Sequence, residues 1–170
     1  EVGLKSFEYI LPGSTSEKEL LDLVERLNND PDVSGLLVQL PLPKHINELA
    51  VINAINPDKD VDGFHPITTG KMVNGDECLL PCTPAGIQEL ICRYAGDIKG
   101  KHLVMVGRSN IVGKPVANMM YQKNDRANCV VTIFHTAAPD ISVYTKQADI
   151  LVVAAGRKDT ITGDMVKDGV

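Results

Sequence analysis

One stretch constrains the fold more than any other: Lys101 to Pro115, KHLVMVGRSNIVGKP. Its first part, His102 to Val106, is a short aliphatic and β-branched run that stops at Gly107. That pattern predicts a buried parallel strand feeding a glycine turn. Gly113 then opens a helical pattern through Val116, Ala117, Met119 and Met120. Strand, glycine turn and helix make the first half of a dinucleotide-binding unit, in which the free N–H groups and positive end of the helix face phosphates. The spacing departs from the usual G-x-G-x-x-G, because five residues separate the two glycines. It is not a P-loop either: that gap is one residue too long, and Pro115 stands where a P-loop needs a hydroxyl for magnesium.

The remaining pattern alternates strands and helices, which predicts an α/β fold. Phe7 to Leu11 reads as a short strand. Ser16-x-x-Glu19 is a capping box, with Leu20, Leu23, Val24 and Leu27 at helical spacing until Asn28 to Pro31 stop the helix. Gly35 to Leu40 reads as an apolar strand with one polar residue, Gln39, and the prolines after it cannot continue a ladder. A second helix is expected over residues 45–55, with Ile46, Leu49, Ile52 and Ile55 on one face. Residues 58–66 form a charged loop. Thr83 caps a third helix with Pro84 at its first position and a face of Ile87, Leu90 and Ile91. Cys129 to Phe134 and Ile150 to Ala154 continue as buried strands, joined by a short helix near residues 141–147, and Gly163 to Lys167 is a turn. The pattern changes near Cys82. Residues 1–82 are therefore expected to form a substrate-side α/β domain, and 83–170 a Rossmann-like dinucleotide domain with a parallel sheet.

At 170 residues and 44% apolar the chain can bury a real core. A net charge of −5 without a basic run argues against a nucleic-acid surface. The four cysteines include no C-x-x-C pair, so free thiols in a reducing compartment are expected, and no metal site is assigned. No run approaches the ~20 apolar residues of a membrane span, and no secretory signal is visible at the start. The expected location is cytoplasmic, with an organellar form left open.

Gln39 stands at the end of its expected strand, the edge where open α/β sheets bind ligands. Asp62 lies in a loop dense in carboxylates. Asp60 reads as structural, capping a turn, and His65 as a solvated loop residue. Gly107, Arg108 and Ser109 sit at the mouth of the dinucleotide turn, where a guanidinium clamps a phosphate. An NAD site usually carries an acid about twenty residues on, near the end of the second strand. Here that strand ends Phe134-His135-Thr136 without one. Arg108 with Thr136 suits a ribose 2′-phosphate, so the residues favour NADP over NAD. Lys114 is expected to point to solvent.

VGRSNIVGKPVA resembles the cofactor loop of the methylenetetrahydrofolate dehydrogenase/cyclohydrolase family. GLLVQLPLP (Gly35 to Pro43), PDKDVDGFHP (Pro57 to Pro66) and PCTPAGI (Pro81 to Ile87) agree with it in order and spacing. The resemblance implies a bifunctional enzyme of one-carbon metabolism. It oxidises 5,10-methylenetetrahydrofolate to the methenyl form with NADP and opens that ring to 10-formyltetrahydrofolate, in a cleft between two α/β domains. It implies that Asp62 fixes the pterin and that Gln39 tunes a catalytic lysine, with Val38 and Leu40 adding folate contacts. A homodimer is the expected assembly. The family's tyrosine and catalytic lysine are expected before Glu1, and its last strand, substrate loop and helix after Val170. Lys5, Lys18 and Lys44 are not assigned the lysine's role. Two alternatives stay open: a non-catalytic dinucleotide-binding or dimerisation module, and a different NADP oxidoreductase sharing only the Rossmann half. QLPLP and DKDVDG count against the latter, since the cofactor alone does not require them.

Overall fold

The computed structural model describes residues 3–170, and the chain divides into two compact units, residues 1–59 and 60–170. In the first unit, α1 (Glu17–Asn29) starts on the capping box the sequence announces. Ser16 N–H donates to Glu19 Oε2 at 2.8 Å, and Glu19 N–H returns a bond to Ser16 Oγ at 3.3 Å. Leu20 and Val24 face a core completed by Leu36, Ile46, Val51 and Ile55. α2 (Glu48–Ala54) begins later than expected, because the Asn47 side chain accepts from Leu49 and Ala50 N–H and fixes the start there. That register buries Val51 and leaves Leu49 exposed, against the expected face. Asn28 does more than end α1: its amide donates to Ala54 O and accepts from Asn56 N–H, tying the two helix ends together.

Two expected strands do not form in this unit. Residues 7–11 lie outside any strand. Residues 35–40 make one isolated bridge at Leu36, whose N–H donates to Lys59 O at 2.7 Å. Both segments have the composition of strands, but a ladder needs a partner backbone along its whole length. Gln39 is therefore not at the end of a paired strand, as the sequence suggested. It is an exposed residue just before the cis Leu40–Pro41 peptide.

The second unit is a three-stranded parallel sheet in the order β2-β1-β3: β1 His102–Val106, β2 Val130–Phe134 and β3 Ile150–Val153. His102 stands opposite Val130, and Leu103 opposite Ile150. β1 is central, so both its faces are covered and every residue from Leu103 to Val106 is buried. Leu103 and Met105 pack with Val116 and Met120 of α5 (Gly113–Met120) and Ile87 and Ile91 of α4 (Cys82–Tyr94). Val104 and Val106 pack the opposite way, with Phe134, Ile141 and Leu151 beside the short α6 (Ser142–Thr145). Each such fully buried aliphatic side chain contributes about 1.5–3 kcal/mol. β2, expected to be buried, is an edge strand with Val130 60% exposed. A helix the sequence did not suggest, α3 (Pro66–Asn74), packs against α5. Thr83 is not a cap, because α4 already starts at Cys82 after Pro81 without a side-chain cap. Leu90 turns outward and Gln88 inward. Among the described residues no helix is long and apolar enough to cross a membrane.

Candidate functional site

Two glycines build the turn after β1, and their separation now has a cause. Gly107 has φ +130°, and a Cβ there would stand 2.5 Å from Ala154 O at the end of β3. Its N–H donates to Phe134 O at 2.7 Å, so it is held between both neighbouring strands. A Cβ on Gly113 would overlap the Gly107 carbonyl oxygen and stand 2.9 Å from Arg108 Cα. Gly113 is therefore the point where the first turn of α5 lies directly on the end of β1. The five intervening residues loop out of that contact.

Ser109 organises the loop. Its Oγ accepts from Val112 N–H at 3.1 Å and Gly113 N–H at 3.3 Å, and its carbonyl accepts from Lys114 N–H at 3.0 Å. It caps α5 from outside the helix and satisfies amides that would otherwise be free. Arg108 is exposed and makes no ion pair among the described residues. Lys114 is exposed and donates to Asn110 Oδ1 at 2.7 Å. Thr136 lies just past β2, exposed. Its nearest following acid in sequence, Asp140, accepts from Ser142 N–H at 2.8 Å at the start of α6, and those bonds hold its carboxyl below the usual range. No acid occurs in residues 135–139, directly beyond β2. Gly107, Arg108, Ser109 and Thr136 all lie at the carboxyl edge of the sheet, beside the place where the order turns from β1→β2 to β3. Gly156-Arg157 repeats the Gly-Arg pattern after β3, a second cation at that edge that sequence reading passed over.

Asp62 rides on a tight turn over residues 60–65. Asp60, 1% exposed, accepts from Phe64 N–H at 3.3 Å and His65 N–H at 2.8 Å. His65 is not solvated as expected. It is buried, and its Nδ1 accepts from Ile67 N–H at 3.1 Å to cap α3. Pro66 at the first helical position and Gly75 in the left-handed region at the end complete that helix. Asp62 is half-buried, and no hydrogen bond reaches its carboxylate from the described residues. Burial pushes that carboxyl up, and the charge of Asp60 adds to the rise. In the first unit Gln39 Nε2 donates to Leu40 O at 2.9 Å, Val38 packs on the core, and Leu40 is half-buried. All four cysteines are free, and among the described residues no three metal-ligating side chains cluster.

Residues 1–62 match the family described as tetrahydrofolate dehydrogenase/cyclohydrolase, catalytic domain, and residues 81–170 its NAD(P)-binding domain. The chain belongs to the tetrahydrofolate dehydrogenase/cyclohydrolase family. It is 57% identical to the bifunctional protein FolD of Chloroherpeton thalassium over 99% of its length, which spans 58% of that relative. The crystal structure of the bifunctional FolD of Campylobacter jejuni superposes with a TM-score of 0.93 at 46% identity, over 99% of this chain and 58% of that one. The Trypanosoma brucei dehydrogenase-cyclohydrolase, solved with NADP cofactor and inhibitor, matches at 0.89 and 33% identity, over 97% and 56%. The chain thus spans a little under three fifths of the relatives it matches. The dinucleotide reading of residues 101–115 and the family resemblance agree with these comparisons.

Proposed function

We propose that the intact protein oxidises 5,10-methylenetetrahydrofolate to the methenyl form with NADP and hydrolyses the product to 10-formyltetrahydrofolate. The observation that carries this is the match to both family domains, in order, within one chain. NADP, when bound, accepts the hydride. That transfer needs two rings held close and dry, so the protein's part is positioning.

The residues at the sheet edge suit such a cofactor: a guanidinium without an ion pair among the described residues, two hydroxyls at Ser109 and Thr136, and no acid in residues 135–139 directly beyond β2. Arg108 would pair with that phosphate, Ser109 and Thr136 would donate to phosphate or ribose oxygens, and Gly107 would keep the backbone out of their way. Asp62 would take the amidine-like N–H edge of the pterin, one carboxylate accepting two bonds. Val38 and Leu40 would add apolar contacts, and the Gln39 amide would orient the proton-transfer group of the ring-opening step. In ligand terms the chain divides near Cys82, substrate side before it and dinucleotide side after. The working assembly is a homodimer in the cytoplasm.

Arg108→Ala tests the cofactor half. A charge-assisted pair to phosphate is worth about 1.5–3 kcal/mol, so NADP affinity should fall roughly ten- to hundredfold while NAD affinity barely changes. Calorimetric titration with both cofactors decides it, and equal losses would put Arg108 on the shared pyrophosphate. Gln39→Ala tests the other half. The cyclohydrolase rate should drop by a similar roughly ten- to hundredfold factor with the dehydrogenase rate largely kept. Stopped assays of the two steps that stay at native rates would leave Gln39 without a role.

A further inference from the structure

We infer that Asp60 is a positioning residue for folate recognition, holding the turn that carries Asp62 in its binding shape and acting on the ligand only through Asp62. The inference rests on the reading that Asp62 takes the pterin edge.

A carboxylate 1% exposed is expensive to bury unless its oxygens are paired. Asp60 has no ion pair with a cation among the described residues. Instead its two oxygens are divided between two successive backbone amides, Phe64 and His65, and its own carbonyl accepts from Gly63 N–H at 3.4 Å. The turn is closed from the other side as well. Gly63 has φ +69°, and a Cβ there would stand 2.9 Å from Leu79 O and 3.0 Å from Pro81 Cδ, so no larger residue fits the turn. His65 then passes the constraint on by capping α3.

The backbone is thus pinned at Asp60 and from Gly63 to His65, and Asp62 sits between Asp60 and Gly63 with its own carboxylate uncommitted. An acid kept in one place by its neighbours, rather than by a partner of its own, is preorganised for a donor that arrives from outside. The arrangement works against the fold alone, because it places a second buried negative charge near Asp62 and raises that group's proton affinity. Asparagine offers only one acceptor oxygen and would set its NH2 against the second amide, so the carboxylate is what holds both ends of the turn.

The test is a double-mutant cycle in the intact protein, read by calorimetric binding of tetrahydrofolate, which carries the pterin edge without the reacting one-carbon bridge. Asp60→Asn and Asp60→Ala should each weaken tetrahydrofolate roughly tenfold, within the range of coupling between residues in contact. Neither should weaken it further in an Asp62→Asn background, and NADP affinity should be unchanged throughout. Equal effects of the Asp60 variants in both backgrounds, or a parallel loss of NADP, would make Asp60 merely structural and overturn the inference. An Asp62→Asn variant with native tetrahydrofolate affinity would instead remove the reading beneath it. Amide exchange in the unaltered protein gives a check that survives misfolded variants. The Phe64 and His65 amides should be protected before ligand is added, and protection appearing only with tetrahydrofolate would show that the turn is not preformed.

Discussion

Gly113→Ala should cost about 3 kcal/mol of folding stability and cripple dinucleotide binding, the largest single-methyl effect expected in the chain. The new Cβ would overlap the Gly107 carbonyl oxygen and crowd Arg108 Cα, both backbone atoms that cannot swing aside. Gly107 is itself held by the bond to Phe134 O and by the nearness of Ala154. The helix must therefore retreat, and α5 carries Val116 and Met120 into the core against Leu103 and Met105. Alanine gains about 1 kcal/mol in helix propensity over glycine, too little to offset the overlap. Urea unfolding and NADP titration read the two effects. An alanine variant with native midpoint and affinity would mean that the strand–helix contact is looser than described.

Asp62→Asn should lower folate affinity by about 2–5 kcal/mol, roughly 30- to 5,000-fold, with cofactor affinity kept. Asparagine keeps the shape but replaces one acceptor oxygen with a donor that opposes the pterin's own N–H groups. The pH dependence follows from the direction of the Asp62 shift. In the free protein burial and Asp60 raise its proton affinity, so the ionised form is scarcer on acidification than for an ordinary carboxylate. On the proposed role of Asp62, folate binds its ionised form. Affinity should therefore begin to fall as pH drops through that raised value. Within the window between the ordinary and the raised value, binding should release a proton. Titrations in buffers of different ionisation enthalpy measure the release; uptake, or no exchange across the acid range, would place the pterin on another group.

Residues 101–120 were legible because their signal is local: an unbroken apolar run covered on both faces, two glycines, then a helix face. The capping box at Ser16 was legible for the same reason. The segments at 7–11 and 35–40 were over-read, since strand composition says nothing about whether a partner backbone lies alongside. α3 was missed because PITTGKMVN carries β-branched residues and a glycine inside the helix. What forms it is His65 as cap, Pro66 and Gly75, and a histidine is seldom read as a cap. Of the site residues, Arg108 and Ser109 stood out by adjacency to Gly107. That Ser109 closes the helix start, and that Asp60 and not Asp62 is the buried carboxylate, needed the folded backbone.

The Ser109 cap has an electronic consequence. With two amide hydrogens directed at its oxygen, the hydroxyl has little left to offer except its own proton. Those two donors polarise the O–H bond, and hydrogen bonds in a chain strengthen one another. The positive end of α5 is therefore relayed, one bond further out, to a single hydrogen. Because both lone pairs are taken, that hydrogen is left one direction, so an approaching oxygen meets one aimed donor in place of a pair of amides, and the loop dictates where a ligand atom can sit without any movement of the helix.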